Sequence, residues 1–205
     1  MDAQPTNTRN GLPPRDRTLA LLHEHTEGAG LRKHALAVEA AMRAYARRFG
    51  EDEELWGLTG LLHDLDYERY PDLDTGHPRY ALRELEDRGY PPELIRAVAS
   101  HADFLGVSRD SLMEKTLYAV DELSGFILAV AYVRPDGLSG MTAKSVKKKL
   151  KQPSFAAAVD RDAMRAGAED LGVDFDEHLA FVIAALDAES EALMGPRDDG
   201  ATTPG

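Results

Sequence analysis

The stretch Leu61–Tyr67, LLHDLDY, sets a histidine and an aspartate side by side directly after a run of leucines. Upstream, Trp56, Leu58, Leu61 and Leu62 read as the apolar face of one helix, and Asp52 or its neighbours offer an N-cap. That helix therefore ends at the edge of a core in an imidazole and a carboxylate. Buried polar groups without partners cost on the order of several kcal/mol, so the rest of the chain must supply partners.

Outward from this segment, the pattern is helical almost everywhere, and no alternating strand is convincing. Arg17 to His25 reads as a first short helix, and Leu31 to Phe49 as a second, stopped by Gly50. The run YPDLDTGHP is a loop, and Pro78 suits the first turn of a helix reaching Arg88. Further helices are predicted over Glu93 to Ala102, Leu112 to Val133 with Ser111 as cap, Thr142 to Lys151, Arg161 to Leu171 and Asp174 to Leu193. The expectation is an all-α single domain, a helical bundle of about eight or nine helices. Residues 1–16 and 194–205 are rich in Pro, Gly, Asp and Thr and are expected to be tails without fixed structure. The body runs over residues 17–193, with a helical extension from about residue 141.

The 205 residues suffice for one substantial core. No stretch reaches the roughly 18 apolar residues of a membrane span, and the polar N-terminus lacks a signal-peptide apolar region. The absence of cysteine removes disulfides, thiolate metal sites and cysteine nucleophiles. A cytoplasmic location is expected. With 24 basic and 36 acidic residues the net charge is −12, which makes nucleic-acid polymers and anionic membranes poor partners. The Lys-rich segment 144–151 is the local exception. It reads either as a solvated helix face or as a lid that meets an anionic substrate.

Several polar residues conflict with the apolar pattern. His34 lies one turn before Val38 on the buried stripe of its helix. Asp121 lies one turn after Leu117 on the long helix, with Gly125 and Leu128 in the turns beyond. His101 closes AVASHADF, His77 opens the helix after the loop, and His63 and Asp64 form the doublet. Each alone has an ordinary explanation, as do His23, His25 and His178. Taken together, one metal centre explains His34, His63, Asp64, His77, His101 and Asp121 at once. Imidazole and carboxylate donors suit Fe, Mn, Zn, Ni or Co.

The ordered set H…HD…H…H…D resembles the HD-domain superfamily. LRKHALAVE at Leu31 looks like that family's first-histidine helix, and GLLHDLDY at Gly60 looks like its namesake doublet. HPRYALREL at His77 resembles the HPxxGA segment of the HDIG-type branch, with Tyr80 where that branch often has glycine. IRAVASHADF and LYAVDELSGF supply the remaining histidine and aspartate. The likeness runs from about Leu21 to Val133. The C-terminal part is similar to a bacterial subgroup of small stand-alone HD proteins.

The resemblance implies a core metal site of His34, His63, Asp64 and Asp121, with Asp64 able to bridge to a second ion. His77 and His101 take the places of second-metal ligands in dinuclear members and of substrate or proton-transfer residues in mononuclear ones. Catalytic roles are thus expected for Asp64, His77 and His101, with one or two divalent transition metals as cofactor. Arg79, Lys144 and Lys147 are candidates to bind the substrate's charge, with Arg69 and Lys148 as further options. Asp66 and Glu68 read as surface or loop-anchoring residues, or one of them as a hydrogen-bond partner of a ligand. The leading expectation is a phosphohydrolase acting on a small phosphorylated molecule such as a nucleotide or phosphate ester. A di-iron oxygenase on the same ligands, and a non-catalytic nucleotide- or partner-binding module, are the alternatives.

Overall fold

The structure is a computed structural model that describes residues 11–195. Within these residues every regular element is helical: α1 (Arg15–His25), α2 (Ala29–Phe49), α3 (Glu53–Leu62), α4 (Arg79–Asp87), α5 (Pro92–His101), α6 (Leu112–Tyr132), α7 (Ala143–Leu150), α8 (Arg161–Leu171), α9 (Phe175–Ala188) and α10 (Ser190–Met194). A 3-10 turn, Asp103–Leu105, follows α5. The tenth helix arises because the expected last helix breaks at Glu189, whose φ of −106° and ψ of 21° leave the helical region.

Local chemistry accounts for the boundaries. Asp52 accepts a hydrogen bond from the Leu55 N–H at 3.0 Å, which satisfies an unpaired donor at the start of α3. Ser111 and Glu114 form a reciprocal capping box on α6, as Thr142 and Ser145 do on α7. Gly50 ends α2 in the left-handed region, with φ of 75°. Tails were expected over residues 1–16 and 194–205, and residues 1–10 and 196–205 of these lie outside the described residues. Within the expected N-terminal tail, Leu12 is buried and α1 already begins at Arg15. The Arg15 guanidinium grips the buried Glu39 carboxylate of α2 in a two-pronged pair at 2.6 and 2.7 Å, which ties this end to the body.

Two apolar clusters share α2. One gathers Val38, Met42 and Tyr45 of α2 with Leu117, Leu123 and Phe126 of α6 and with Met164, Leu179 and Leu186 of the C-terminal helices. The other joins Ala35 of α2 to Leu21 and Leu22 of α1, Leu58, Leu61 and Leu62 of α3, and Leu94 and Val98 of α5. Helices α2 and α3 lie unusually close. A Cβ on Gly60 would come within 2.9 Å of the Val38 carbonyl oxygen, so only glycine permits this approach. No helix among the described residues is long and apolar enough to cross a membrane.

Candidate metal centre

The closeness of α2 and α3 sets up the centre, because each brings one histidine to the same point. His34 projects from α2, and His63 is the residue that ends α3. Their Nε2 atoms lie 3.2 Å apart. Asp121, from the middle of α6, places Oδ1 at 3.0 Å from His34 Nε2 and 3.3 Å from His63 Nε2. Opposite Gly125, one turn after Asp121, a Cβ would sit 3.5 Å from the His34 ring, so α6 and this imidazole fit closely.

Asp64 stands between this group and a second one. Its Oδ2 faces His63 Nε2 at 3.4 Å and His34 Nε2 at 3.8 Å. Its Oδ1 faces His77 Nε2 at 3.5 Å and His101 Nε2 at 3.6 Å. The six residues therefore form two triads of potential donors, His34/His63/Asp121 and Asp64/His77/His101. One carboxylate turns an oxygen toward each.

Three of the four imidazoles have their tautomer fixed from behind. His63 Nδ1–H donates to the Gly60 carbonyl at 2.8 Å, and His101 Nδ1–H to the Val98 carbonyl at 2.5 Å. His77 Nδ1–H donates to Asp66 Oδ1 at 2.7 Å, while Asp66 Oδ2 accepts from the Ala81 N–H at 2.9 Å. A neutral imidazole that donates through Nδ1 presents a bare lone pair at Nε2. These lone pairs converge on carboxylate oxygens 3.4–3.6 Å away, which is repulsive unless a proton or a cation lies between. Donor separations of this size match two ligands on one cation at bond lengths of about 2.0–2.2 Å. The residues present therefore fit divalent metal ions.

Electrostatics point the same way. Burial disfavours charge on His63, yet the carboxylates of Asp64 and Asp121 outweigh it and raise its pKa well above 6.5. Burial likewise works against ionised Asp64 and Asp121, but the facing imidazoles hold both far below the usual carboxylate range. Positive charge is wanted at this point in the fold. Next to the centre, burial and the neighbouring Asp121 charge push Glu122 up to about 7.

A cavity of about 470 Å³ opens onto the centre. Its walls include Leu31, Tyr67, Leu73, Phe104, Tyr118 and Val159. Val159, Asp160 and Ala163 come from the C-terminal segment, which thus completes the site rather than merely extending the bundle.

The structure brings all six candidate ligands together, and none of the three cationic candidates lines their cavity. Lys144 and Lys147 lie on α7 and line a different surface cavity of about 540 Å³, and Lys147 Nζ pairs with Asp176 at 2.7 Å. Helix α7 packs against α9, and none of its residues lines the cavity at the metal centre. Arg79 donates to the Leu73 carbonyl at 2.6 Å and lies over the Phe104 ring, so it braces the cavity wall from behind. Arg69 is likewise engaged, with the Glu24 carbonyl. Of the two acidic residues past the doublet, Asp66 holds His77, whereas Glu68 anchors the loop by accepting the Glu27 and Gly28 N–H groups. His178 is a core histidine between the Tyr45 hydroxyl and the Ala119 carbonyl. The cavity residues missed in the sequence are Glu122, whose adjacency to Asp121 was a usable signal, and the walls from Tyr67, Phe104, Tyr118 and Val159, for which no local signal exists.

No curated protein and no solved structure gives a match to the chain. A family model does: that of the HD domain, over residues 31–125, which include every one of the six candidate ligands. Over residues 31–125 the chain is similar to the HD-domain family.

Proposed function

We propose that the protein is a metal-dependent phosphohydrolase with a two-cation centre, acting on a small phosphorylated molecule. HD-domain enzymes are commonly metal-dependent hydrolases, and the observation that carries the finer reading is the orientation of Asp64. Its two oxygens face separate histidine pairs, the arrangement a bridging carboxylate needs. His34, His63 and Asp121 with Asp64 Oδ2 would hold one divalent ion, and His77 and His101 with Asp64 Oδ1 the other.

When bound, such ions lower the pKa of a water to near neutrality and polarise a phosphoryl oxygen. The chain's own residues do the rest. Asp64 would set the spacing of the two halves, and the Nδ1 hydrogen bonds of His63, His77 and His101 fix each ring with Nε2 aimed inward. The apolar side chains of Leu31, Leu73, Phe104 and Val159 reduce access of bulk water to the reacting group. Nucleic-acid polymers and membranes are not expected partners, given the acidic composition.

A second reading, a di-iron oxygenase on the same ligands, is favoured by the donor set, since four imidazoles and two carboxylates suit iron as well as zinc or manganese. Purification with the native metal, followed by a screen of phosphorylated metabolites with each candidate ion, separates the two. Metal-dependent release of inorganic phosphate is the expected result. Two irons per chain, an oxygen-sensitive charge-transfer band and no phosphate release would instead establish the oxygenase.

A further inference from the structure

The cavity over the metal centre has an unusual balance of charge. Besides the ligands, its charged lining side chains are Asp103, Glu122 and Asp160, and no lysine or arginine is among the lining residues. Two of these carboxylates are already engaged. Asp103 accepts from Arg109 at 2.6 Å and from the Tyr118 hydroxyl at 3.1 Å. Asp160 accepts the N–H groups of Asp162 and Ala163, both at 2.9 Å, as the cap of α8.

Glu122 is different. Its Oε2 accepts one backbone N–H, from Asp160 at 3.2 Å, and no lysine or arginine pairs with it among the described residues. It sits on α6 immediately after the ligand Asp121 and is only partly exposed. With no lysine or arginine paired to it, the Glu122 carboxylate at the cavity wall is left available to a cationic group brought by a ligand.

This inference rests on the phosphohydrolase reading. Two divalent cations less the charges of Asp64 and Asp121 leave two positive charges, which one phosphomonoester dianion cancels. A longer phosphate chain would bring further negative charge against walls that offer carboxylates, two tyrosines and apolar groups but no lysine or arginine. A positive charge on the organic part of the substrate would meet Glu122. The exposed ring of Tyr67 at the cavity wall also favours a cation over an anion. We propose that the substrate is a phosphomonoester carrying an ammonium group, with Glu122 receiving the ammonium while the phosphate lies at the Asp64-bridged centre. Glu122 is thus a substrate-binding residue that sets specificity.

Titration calorimetry of the manganese-loaded protein with aminoethyl, hydroxyethyl and ethyl phosphate tests this. The wild-type protein should bind aminoethyl phosphate about tenfold or more tightly than ethyl phosphate, with hydroxyethyl phosphate close to ethyl, and Glu122→Gln should bring that ratio near one. Equal binding of all three ligands, or a preference that survives in Glu122→Gln, would overturn the proposal. If Glu122→Gln fails to fold, the wild-type ligand ratio decides alone. Release of nitrophenol from p-nitrophenyl phosphate, followed in parallel, separates the two readings. Its absence alongside an intact ammonium preference removes the phosphohydrolase but leaves the role of Glu122, and its presence without that preference overturns the ammonium proposal only.

Discussion

The two halves of the metal centre are built from different materials. His34, His63 and Asp121 project from α2, the end of α3 and the middle of α6, helices packed into the two apolar clusters. The other half hangs on the last residue of α5 and on a loop: His101 closes the helix, and His77 precedes α4. Packing of three helices positions the first half, with His63 also held by the Gly60 carbonyl, whereas the second depends on the Asp66 bond to a loop histidine and on the Val98 carbonyl. Asp64 belongs to both. The first half should therefore tolerate loss of individual hydrogen bonds, and the second should not.

The largest effect is expected from Asp64→Ala, which removes the residue shared by both halves. Bound metal should fall from two equivalents to at most one weak one, measured by inductively coupled plasma analysis after gel filtration. Retention of two equivalents would mean that the halves are independent. The next effect sharpens the contrast. Asp66→Asn removes the carboxylate behind His77 and should weaken one ion about 10–100-fold while the other stays in place, as read by competition with a chromophoric chelator. Equal weakening of both ions would show that the loop and the helical half are not separable.

The contrast also explains what the sequence revealed. The six candidate ligands were legible because polar residues on apolar faces are expensive, and their order resembled a known family. That Asp64 could bridge two ions followed only from the resemblance; which oxygen faces which histidine pair depends on where α4 and α5 place His77 and His101. That Asp66 or Glu68 could support a ligand was legible, but which of them does was not, until His77, eleven residues past Asp66, is seen to meet it. Lys144 and Lys147 misled because a charge run says nothing about which way its helix faces. The direction of α7 is set by packing of Val146 into the core and by the pair with Asp176. Val159 and Ala163 reach the cavity only through tertiary packing of the C-terminal segment.

A smaller effect probes the packed half by itself. Gly60→Ala would force α2 and α3 apart and should destabilise the protein by about 1–3 kcal/mol in urea unfolding, with weaker binding of the ion between His34 and His63. The smallest concerns His178, far from the loop half. Burial lowers its pKa below 6.5, so the unfolded chain binds the proton first. Its contribution is full above that value and is lost as the pH falls through 6.5 toward the folded-state pKa. Wild-type stability should therefore drop more between pH 7.5 and about 5.5 than that of His178→Gln, measured at fixed temperature by urea titration. An identical slope in both proteins would assign the pH dependence to other groups.

The most direct measurement is anomalous diffraction from crystals of the protein grown with manganese or iron. Two peaks are expected, one beside His34, His63 and Asp121 and one beside His77 and His101, with Asp64 contributing a different oxygen to each. A single peak held by His34, His63, Asp64 and Asp121, with His77 and His101 free of metal at saturating concentration, would contradict the two-cation centre.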